Sequence, residues 1–269
     1  MEQNANRTWV VSGCSSGLGR CWTRSIIEDR QERVIGITRS HEAAETMRAS
    51  LGERFIPCVA DVRDAEELAA RLAEAQRLAG RPSRVVTAAG YAQFGTLEDL
   101  SNEQIRAQFI TNVEGTLNVI RPLLPELRKA DDARILLVSS MSGVSCWPLL
   151  GAYQISKHGI EAVCSTLREE LTDCGIQVGC LHPGPHKTGW ADTYAQRQPV
   201  SASYSAEDLL RRASCGYPVQ PPEASLPYFW RMFDASIMPR HLATNAEFAE
   251  RARREAAQSM ADWEADNGA

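Results

Sequence analysis

The chain has 269 residues, of which 43% are hydrophobic, and it carries a formal net charge of −5 at pH 7. This length suits one large α/β core, and we expect a single domain over residues 1–269. Lysine and arginine are scattered along the chain, which argues against nucleic acid as a partner. No apolar run approaches the ~18 residues that span a bilayer, and no cationic leader opens the chain, so we expect a cytoplasmic protein without a membrane partner.

The eight cysteines show no C-x-x-C pair and no Cys/His cluster with the spacing of metal ligands. We therefore predict reduced, mostly buried thiols and no metal site. His182 and His186 also lack partners at ligand or triad spacing, and we expect them to be loop or core histidines.

Short β-branched runs alternate with longer helical stretches along the first two thirds of the chain. This order predicts an α/β fold: a single doubly wound parallel sheet of the Rossmann type, with helices on both faces. The predicted strands are residues 9–11, 34–37, 55–59, 85–86, 135–138 and 178–181, and the predicted helices are 19–29, 65–78, 101–127 and 153–174. Pro122 and Pro125 predict a kink near the end of the third helix. Residues 189–226 are expected to form a variable loop over the substrate, and an amphipathic C-terminal helix is expected at about 245–264.

The first strand-to-helix turn reads SGCSSGLG at residues 12–19 and holds Gly13, Gly17 and Gly19. Glycines at such a turn let the main chain approach a pyrophosphate, whose charge the helix N-terminus stabilises. The turn therefore favours a dinucleotide ligand. Its spacing, G-x-x-x-G-x-G, differs from G-x-G-x-x-G, and taken alone it is a weak signal.

A second group of candidate residues lies in the segment 136–159. Ser140 stands thirteen residues before Tyr153, and Lys157 stands four after it, so the phenol and the ammonium share one face of a helix. A cation beside a phenol favours the phenolate and prepares it for proton exchange with a carbonyl or alcohol oxygen. Ser140, at the carboxyl end of a strand, is placed to donate a hydrogen bond to the same oxygen.

With these motifs in their order, the sequence resembles the short-chain dehydrogenase/reductase family over about residues 7–190. The match also includes TNVEG at 111–115 and HPGPHKTG at 182–189. The resemblance implies that Tyr153 is the general acid/base and that Lys157 lowers its pKa and holds the nicotinamide ribose. It also implies that Ser140 orients the substrate carbonyl and that Asn112 keeps a helix kink holding a water of the proton relay. The implied subunit arrangement is a homodimer or homotetramer.

The resemblance also implies a cofactor site drawn from several loops. Its residues are Gly13, Ser15, Ser16, Gly17, Leu18, Gly19, Arg39, Asp61, Val62, Ala89, Gly90, Tyr153, Lys157, Pro183, Gly184 and Thr188. One segment departs from the family pattern: Thr87-Ala88-Ala89-Gly90 stands where Asn-Asn-Ala-Gly is usual. The departure loses an asparagine that ties neighbouring strands, and we expect it to affect local stability more than catalysis.

The residues at the end of the second predicted strand distinguish NADP(H) from NAD(H) as the cofactor. Thr38 stands where NAD enzymes of the family carry an aspartate, so no carboxylate repels a 2′-phosphate. Arg39 can meet that phosphate with a planar charged fork, and Ser16 can add a hydrogen bond. The sequence therefore predicts NADP(H), in a branch of the family that resembles steroid and retinol-type carbonyl reductases.

The leading hypothesis is an oxidoreductase that interconverts a carbonyl and a secondary alcohol. Two alternatives stay open: a non-catalytic dinucleotide-sensing protein of the same fold, and an isomerase or dehydratase of the family.

Three aromatic residues follow the active-site segments and either line a substrate pocket or pack in the core: Trp147, Trp190 and Tyr194. They favour an apolar or aromatic carbonyl or alcohol as the substrate.

Overall fold

The computed structural model describes residues 7–188, 195–197, 199–214 and 216–266. Its centre is a seven-stranded parallel sheet in the order β3-β2-β1-β4-β6-β7-β9, so the predicted doubly wound fold is confirmed. Two further short strands, β5 and β8, pair with each other. The strands are β1 Thr8–Ser12, β2 Arg33–Thr38, β3 Phe55–Val59, β4 Pro82–Thr87, β5 Ala92–Phe94, β6 Ala133–Val138, β7 Ile176–His182, β8 Ala195–Arg197 and β9 His241–Ala243.

Helices connect the strands and cover the sheet. They are α1 Gly17–Arg30, α2 His41–Leu51, α3 Ala65–Ala79, α4 Asn102–Phe109, α5 Gly115–Ile120, α6 Leu124–Leu127, α7 Gly151–Glu170, α8 Ala206–Ala213, α9 Leu226–Asp234 and α10 Ala246–Asp266. A π-helical turn, Ile110–Glu114, joins α4 to α5, and a 3-10 turn, Arg121–Leu123, precedes α6 where the two prolines predict a kink.

The sequence analysis missed three helices. Helix α2 begins where the Ser40 hydroxyl accepts a hydrogen bond from the Ala43 amide at 3.1 Å, a capping signal that the strand-based interpretation overlooked. Helix α8 lies inside the expected loop 189–226, and Ser205 caps it by accepting from the Asp208 amide. The third, α9, follows that expected loop and supplies core residues.

Each face of the sheet carries its own apolar core. On one face, a row of directly paired strand residues is fully buried under α3, α5 and α7. On the other face, α1, α2 and α9 bury a second row and an aromatic cluster that contains Trp9, Trp22 and Phe229. The first row runs across five strands through Ile35, Val10, Val85, Ile135 and Val178. Burial on both faces explains why the strands are continuous apolar runs without alternation.

Among the residues described, no helix combines the length and apolar character that a bilayer crossing needs. The described cysteines are all free thiols.

The aromatic cluster under α9 gives a stability prediction. Phe229 is fully buried and stacks on Trp22 with ring centroids 5.0 Å apart. The Phe229→Ala substitution leaves a cavity and should lower the free energy of unfolding by about 3–5 kcal/mol in urea titrations. The control is Leu78→Ala, because the Leu78 side chain is 77% exposed. Equal losses in the two variants would contradict the assignment of α9 to the core.

Candidate active site

A cavity of about 1280 Å³ lies at the edge of the sheet where the parallel strands end. Its wall includes residues that directly follow β1, β2, β4, β6 and β7, which is where ligands bind in open α/β sheets. All of the cofactor residues predicted from the sequence line this cavity, together with Ser140. Asn112 is the one predicted site residue that does not.

The glycine turn packs against the loop that follows β4. Gly13 has φ +68°, and a Cβ atom there would lie 2.9 Å from the Ala89 Cα and nitrogen. A Cβ at Gly19 would lie inside van der Waals contact with the Gly13 carbonyl oxygen. Only hydrogen fits at these two positions, so α1 starts close against the sheet and presents a bare backbone to the cavity. Ser16 precedes α1, and its hydroxyl makes no capping hydrogen bond.

The end of β2 carries no carboxylate. The buried Thr38 hydroxyl donates to Ser15 Oγ at 3.2 Å, which joins this strand end to the glycine turn. Arg39 is exposed and lines the cavity beside the α2 N-terminus. The cavity wall after β2 therefore carries the positively charged guanidinium of Arg39 and lies beside the N-terminus of α2, and both favour an anionic group.

Asp61 and Val62 form the next part of the wall. Arg63 holds the Asp61 carboxylate through a contact of 2.7 Å from Nη2 to Oδ2, and this hydrogen bond lowers the pKa of Asp61. The Asn118 side chain donates to the Val62 carbonyl at 3.0 Å. Sequence reasoning missed both Arg63, which itself lines the cavity, and Asn118, which holds the main chain of Val62 from outside it.

Tyr153 and Lys157 lie one turn apart on α7, and both are buried. The Lys157 ammonium donates to the carbonyl oxygen of Val138, the last residue of β6, at 2.8 Å. Its Nζ lies 5.6 Å from the centroid of the Tyr153 ring. The Ser140 hydroxyl hydrogen-bonds the Tyr153 hydroxyl, so Ser140, from the loop after β6, and the two α7 side chains lie together on the cavity wall.

The pKa of the phenol runs against the sequence-based expectation. Burial raises the pKa of Tyr153 to about 12, although the hydrogen bond from Ser140 acts in the opposite direction. Burial also lowers the pKa of Lys157 to about 8, while Cys180 and Glu161 oppose that shift. In this structure the loss of hydration is the largest cause of both pKa shifts.

Asn112 lies in the π-helical turn, buried behind the cavity wall. Its side chain accepts from the Tyr91 amide at 3.1 Å, donates to the Tyr91 carbonyl at 3.1 Å and donates to Ser156 Oγ at 2.9 Å. The Thr116 hydroxyl donates a hydrogen bond to the main-chain carbonyl oxygen of Asn112 at 2.9 Å. Asn112 therefore ties the loop after β4 to α7, one residue before Lys157.

The segment that departs from the family pattern is held by a different residue. Ser12 Oγ at the end of β1 accepts a hydrogen bond from the Ala89 amide at 3.2 Å, which ties two strand ends together. The Thr87 hydroxyl is buried, and within the described part of the chain it has no hydrogen-bond partner. A buried hydroxyl without a partner lowers stability in general, and the expected effect of this segment on local stability stays a prediction.

Apolar side chains also line the cavity. Trp147 lines the cavity, which is one of its two predicted positions, the other being the core. The Arg251 guanidinium of α10 lies 4.9 Å from the centroid of the Trp147 ring. Trp190 and Tyr194 lie outside the described residues. The sequence analysis missed four further apolar wall residues, because they come from separate segments without a common pattern: Phe94, Met141, Leu150 and Val219.

The two histidines of the HPGPHKTG segment have different surroundings. His186 lines the cavity, and its Nδ1 lies 2.8 Å from the Gly184 carbonyl oxygen. His182 is buried outside the cavity and contacts Glu161 and His241. His182 is therefore a buried core histidine, one of the two expected surroundings, and its partners come from distant parts of the sequence that ligand or triad spacing does not show.

Comparison with known proteins gives the family. The family model for short chain dehydrogenases matches residues 7–199. The chain belongs to the short-chain dehydrogenase/reductase family.

Two curated relatives of this family cover most of the chain. Oxidoreductase BOA17 of Botryotinia fuckeliana (strain B05.10) is 30% identical over 214 residues, which are 77% of this chain and 78% of that protein. The NADPH-dependent 3-dehydrocapnine reductase of Ornithobacterium rhinotracheale is 31% identical over 185 residues, 66% of this chain and 65% of that protein. The fold matches a short-chain dehydrogenase from Streptomyces avermitilis with a TM-score of 0.89 at 24% identity, covering 99% of this chain and 98% of that one. The family carries oxidoreductase activity with a nicotinamide dinucleotide.

The burial of Lys157 predicts a pH-dependent stability. Its pKa is 10.5 in the unfolded chain and about 8 when folded, so between these values the unfolded chain binds more protons and stability rises with pH. From pH 7 to 9.5, the native chain should gain on the order of 2 kcal/mol of unfolding free energy relative to Lys157→Met.

Urea titrations at several pH values measure this difference. The matched control is Tyr153→Phe, which should nearly keep the slope up to pH 9, because burial raises the phenol pKa and below that pH the group is about nine-tenths or more protonated in both states. A difference between native chain and Lys157→Met that is constant with pH would contradict the buried ammonium.

Proposed function

We propose that the protein is an NADP(H)-dependent oxidoreductase that interconverts a carbonyl and a secondary alcohol, with Tyr153 as general acid/base. The observation that carries the proposal is one continuous cavity with Arg39 and the glycine turn at one end and Ser140, Tyr153 and Lys157 at the other. The named relative that is an NADPH-dependent reductase supports the choice of cofactor.

The residues fit a dinucleotide. The turn leaves no space for a Cβ at Gly13 or Gly19, so backbone amides of the α1 N-terminus can approach a pyrophosphate closely. Arg39 and Ser16 would hold a 2′-phosphate, and Asp61 and Val62 would hold the adenine. Pro183, Gly184 and Thr188 would surround the nicotinamide. A bound NADP(H) supplies or accepts the hydride.

The chain's own residues handle the substrate oxygen and its proton. Ser140 and Tyr153 share a hydrogen bond, so their hydroxyls can both reach one carbonyl oxygen. In the direction of reduction, the Tyr153 hydroxyl donates its proton to that oxygen, and in the reverse direction the phenolate takes it back. The Lys157 ammonium, held near the ring by the Val138 carbonyl, stabilises the phenolate.

The apolar wall favours an apolar or aromatic carbonyl compound as the substrate. Trp147, Phe94 and Leu150 offer contact area without charge at the end of the cavity next to Tyr153. A panel of steroid, retinoid and aromatic ketones and aldehydes tested for NADPH oxidation measures this directly. Turnover of an apolar member supports the proposal. NADPH binding without turnover of any member, or substrate conversion without net NADPH oxidation, would favour a sensing protein or an isomerase instead.

The Tyr153→Phe substitution tests the general acid. It removes the proton donor and leaves the pocket nearly unchanged in volume, so turnover should fall at least ~10²-fold while NADPH still binds. Steady-state kinetics and a fluorescence titration with NADPH measure the two effects. Near-normal turnover in the variant would exclude Tyr153 as the acid.

The choice of cofactor is tested at the end of β2. A charge-assisted hydrogen bond contributes on the order of 1.5–3 kcal/mol, so Arg39→Ala should weaken NADPH binding roughly 10- to 150-fold and leave NADH nearly unchanged. Thr38→Asp should invert the preference toward NADH, because the new carboxylate repels the phosphate and binds the ribose hydroxyls.

The matched control for Arg39→Ala is Arg77→Ala, which removes an exposed arginine from α3, outside the cavity wall. Its affinities for both nucleotides should equal those of the native chain. Equal binding of NADH and NADPH by the native chain would contradict the proposed preference.

A further inference from the structure

Three side chains from three elements converge behind the active site. Glu161 lies on α7, His182 ends β7 and His241 begins β9. His182 Nε2 lies 3.3 Å from His241 Nδ1, and His241 Nδ1 lies 3.3 Å from Glu161 Oε2. These ligand-type atoms all lie within 4.8 Å of one another. None of the three residues lines the cavity proposed for the nucleotide.

The hydrogen atoms on these three side chains cannot give every acceptor atom of the cluster a hydrogen bond. His182 Nδ1 lies 3.3 Å from the Ser140 carbonyl oxygen and 3.5 Å from Glu161 Oε1, and since both are acceptors, the ring proton lies on Nδ1 and Nε2 keeps a lone pair. One proton on His241 Nδ1 can serve that lone pair but then cannot also serve the carboxylate. Consistent with this, Glu161 Oε2 is buried and, among the described residues, lacks a partner with hydrogen-bond geometry. Three electron-pair donors therefore face one another with at most one proton between them.

Two of the three spacings between these atoms match a tetrahedral metal ion. Bonds of about 2.0–2.2 Å to histidine nitrogen and carboxylate oxygen place ligand atoms about 3.3–3.6 Å apart around a tetrahedral zinc ion. The two separations that involve His241 have this length, and the third, between His182 and Glu161, is within 4.8 Å. The Ser140 carbonyl at the remote nitrogen of His182 is the usual second partner of a metal-bound imidazole, since it fixes the ring and its tautomer.

We propose that Glu161, His182 and His241 form a binding site for a divalent transition metal, of which zinc is the best match to two imidazoles and a carboxylate. The ion reaches the site from the side of His241, whose side chain is 43% exposed, while that of His182 is 4% exposed. A water molecule completes the coordination on that open side. The bound ion links α7 to the last two strands of the sheet.

Metal binding to the full chain tests the proposal. The protein is dialysed against a chelator and then titrated with Zn²⁺ by isothermal calorimetry at pH 7.5, and Co²⁺ is added in parallel for its visible absorption. We expect one tightly bound Zn²⁺ per chain and Co²⁺ bands of tetrahedral intensity. His241→Ala should weaken the binding at least ~100-fold and abolish those bands, and Glu161→Gln should weaken it in the same direction.

The matched control is His41→Ala, which removes an exposed histidine at the start of α2. This variant should bind Zn²⁺ as the native chain does. If His241→Ala binds Zn²⁺ with native affinity, the metal sits elsewhere, for example on the cysteines, and the proposal is wrong. Absence of binding to the native chain overturns it as well. Circular dichroism shows that each variant is folded, and His241→Gln replaces His241→Ala if it is not.

Discussion

The buried hydrogen bond from the Lys157 ammonium to the Val138 carbonyl is the contact on which the active site depends. It joins α7 to the end of β6, and its length is 2.8 Å. Tyr153 lies one turn before Lys157 on the same face of α7, and Ser140 lies two residues after Val138. One hydrogen bond therefore brings together Tyr153, Lys157 and Ser140, the residues that we propose as the acid, its cation and the group that orients the substrate.

This arrangement has an energetic cost that the rest of the fold offsets. Burial disfavours the charge of Lys157 and the ionised form of Tyr153, and it moves their pKa values to about 8 and about 12. Two apolar cores, one on each face of the sheet, supply the stability that tolerates such burial. Asn112 holds the loop after β4 to Ser156, so the wall beside Lys157 is fixed from a second direction.

The sequence predicted those parts of the site that lie within one element or one turn. The spacing of Tyr153 and Lys157 needs only a helix, and the glycines need only a strand-to-helix turn, so both could be found without a structure. Strand periodicity likewise predicted six of the strands in the large sheet. Strand β9 is three residues long and follows α9, and nothing local distinguishes it from a loop.

Features that depend on distant contacts could not be predicted. His182 and His241 are 59 residues apart, and only the pairing of β7 with β9 brings them together. The apolar wall contains Phe94 and Val219, which share no motif. The direction of the Tyr153 pKa shift depends on how deeply the phenol is buried, a quantity that sequence spacing does not contain. Local patterns thus specify the reactive groups, and the tertiary fold sets their environment.

The central claim is that the ends of separate strands form one nucleotide site. Hydrogen–deuterium exchange measured by mass spectrometry, with and without NADPH, tests it most directly. The account predicts slower exchange together in three segments, residues 13–19, 138–140 and 183–188, which line the same cavity. A polar cavity formed by Glu28, Arg33 and Arg54 is a separate part of the surface and should not respond. Protection confined to that second cavity, or absent from the three segments, would contradict the account.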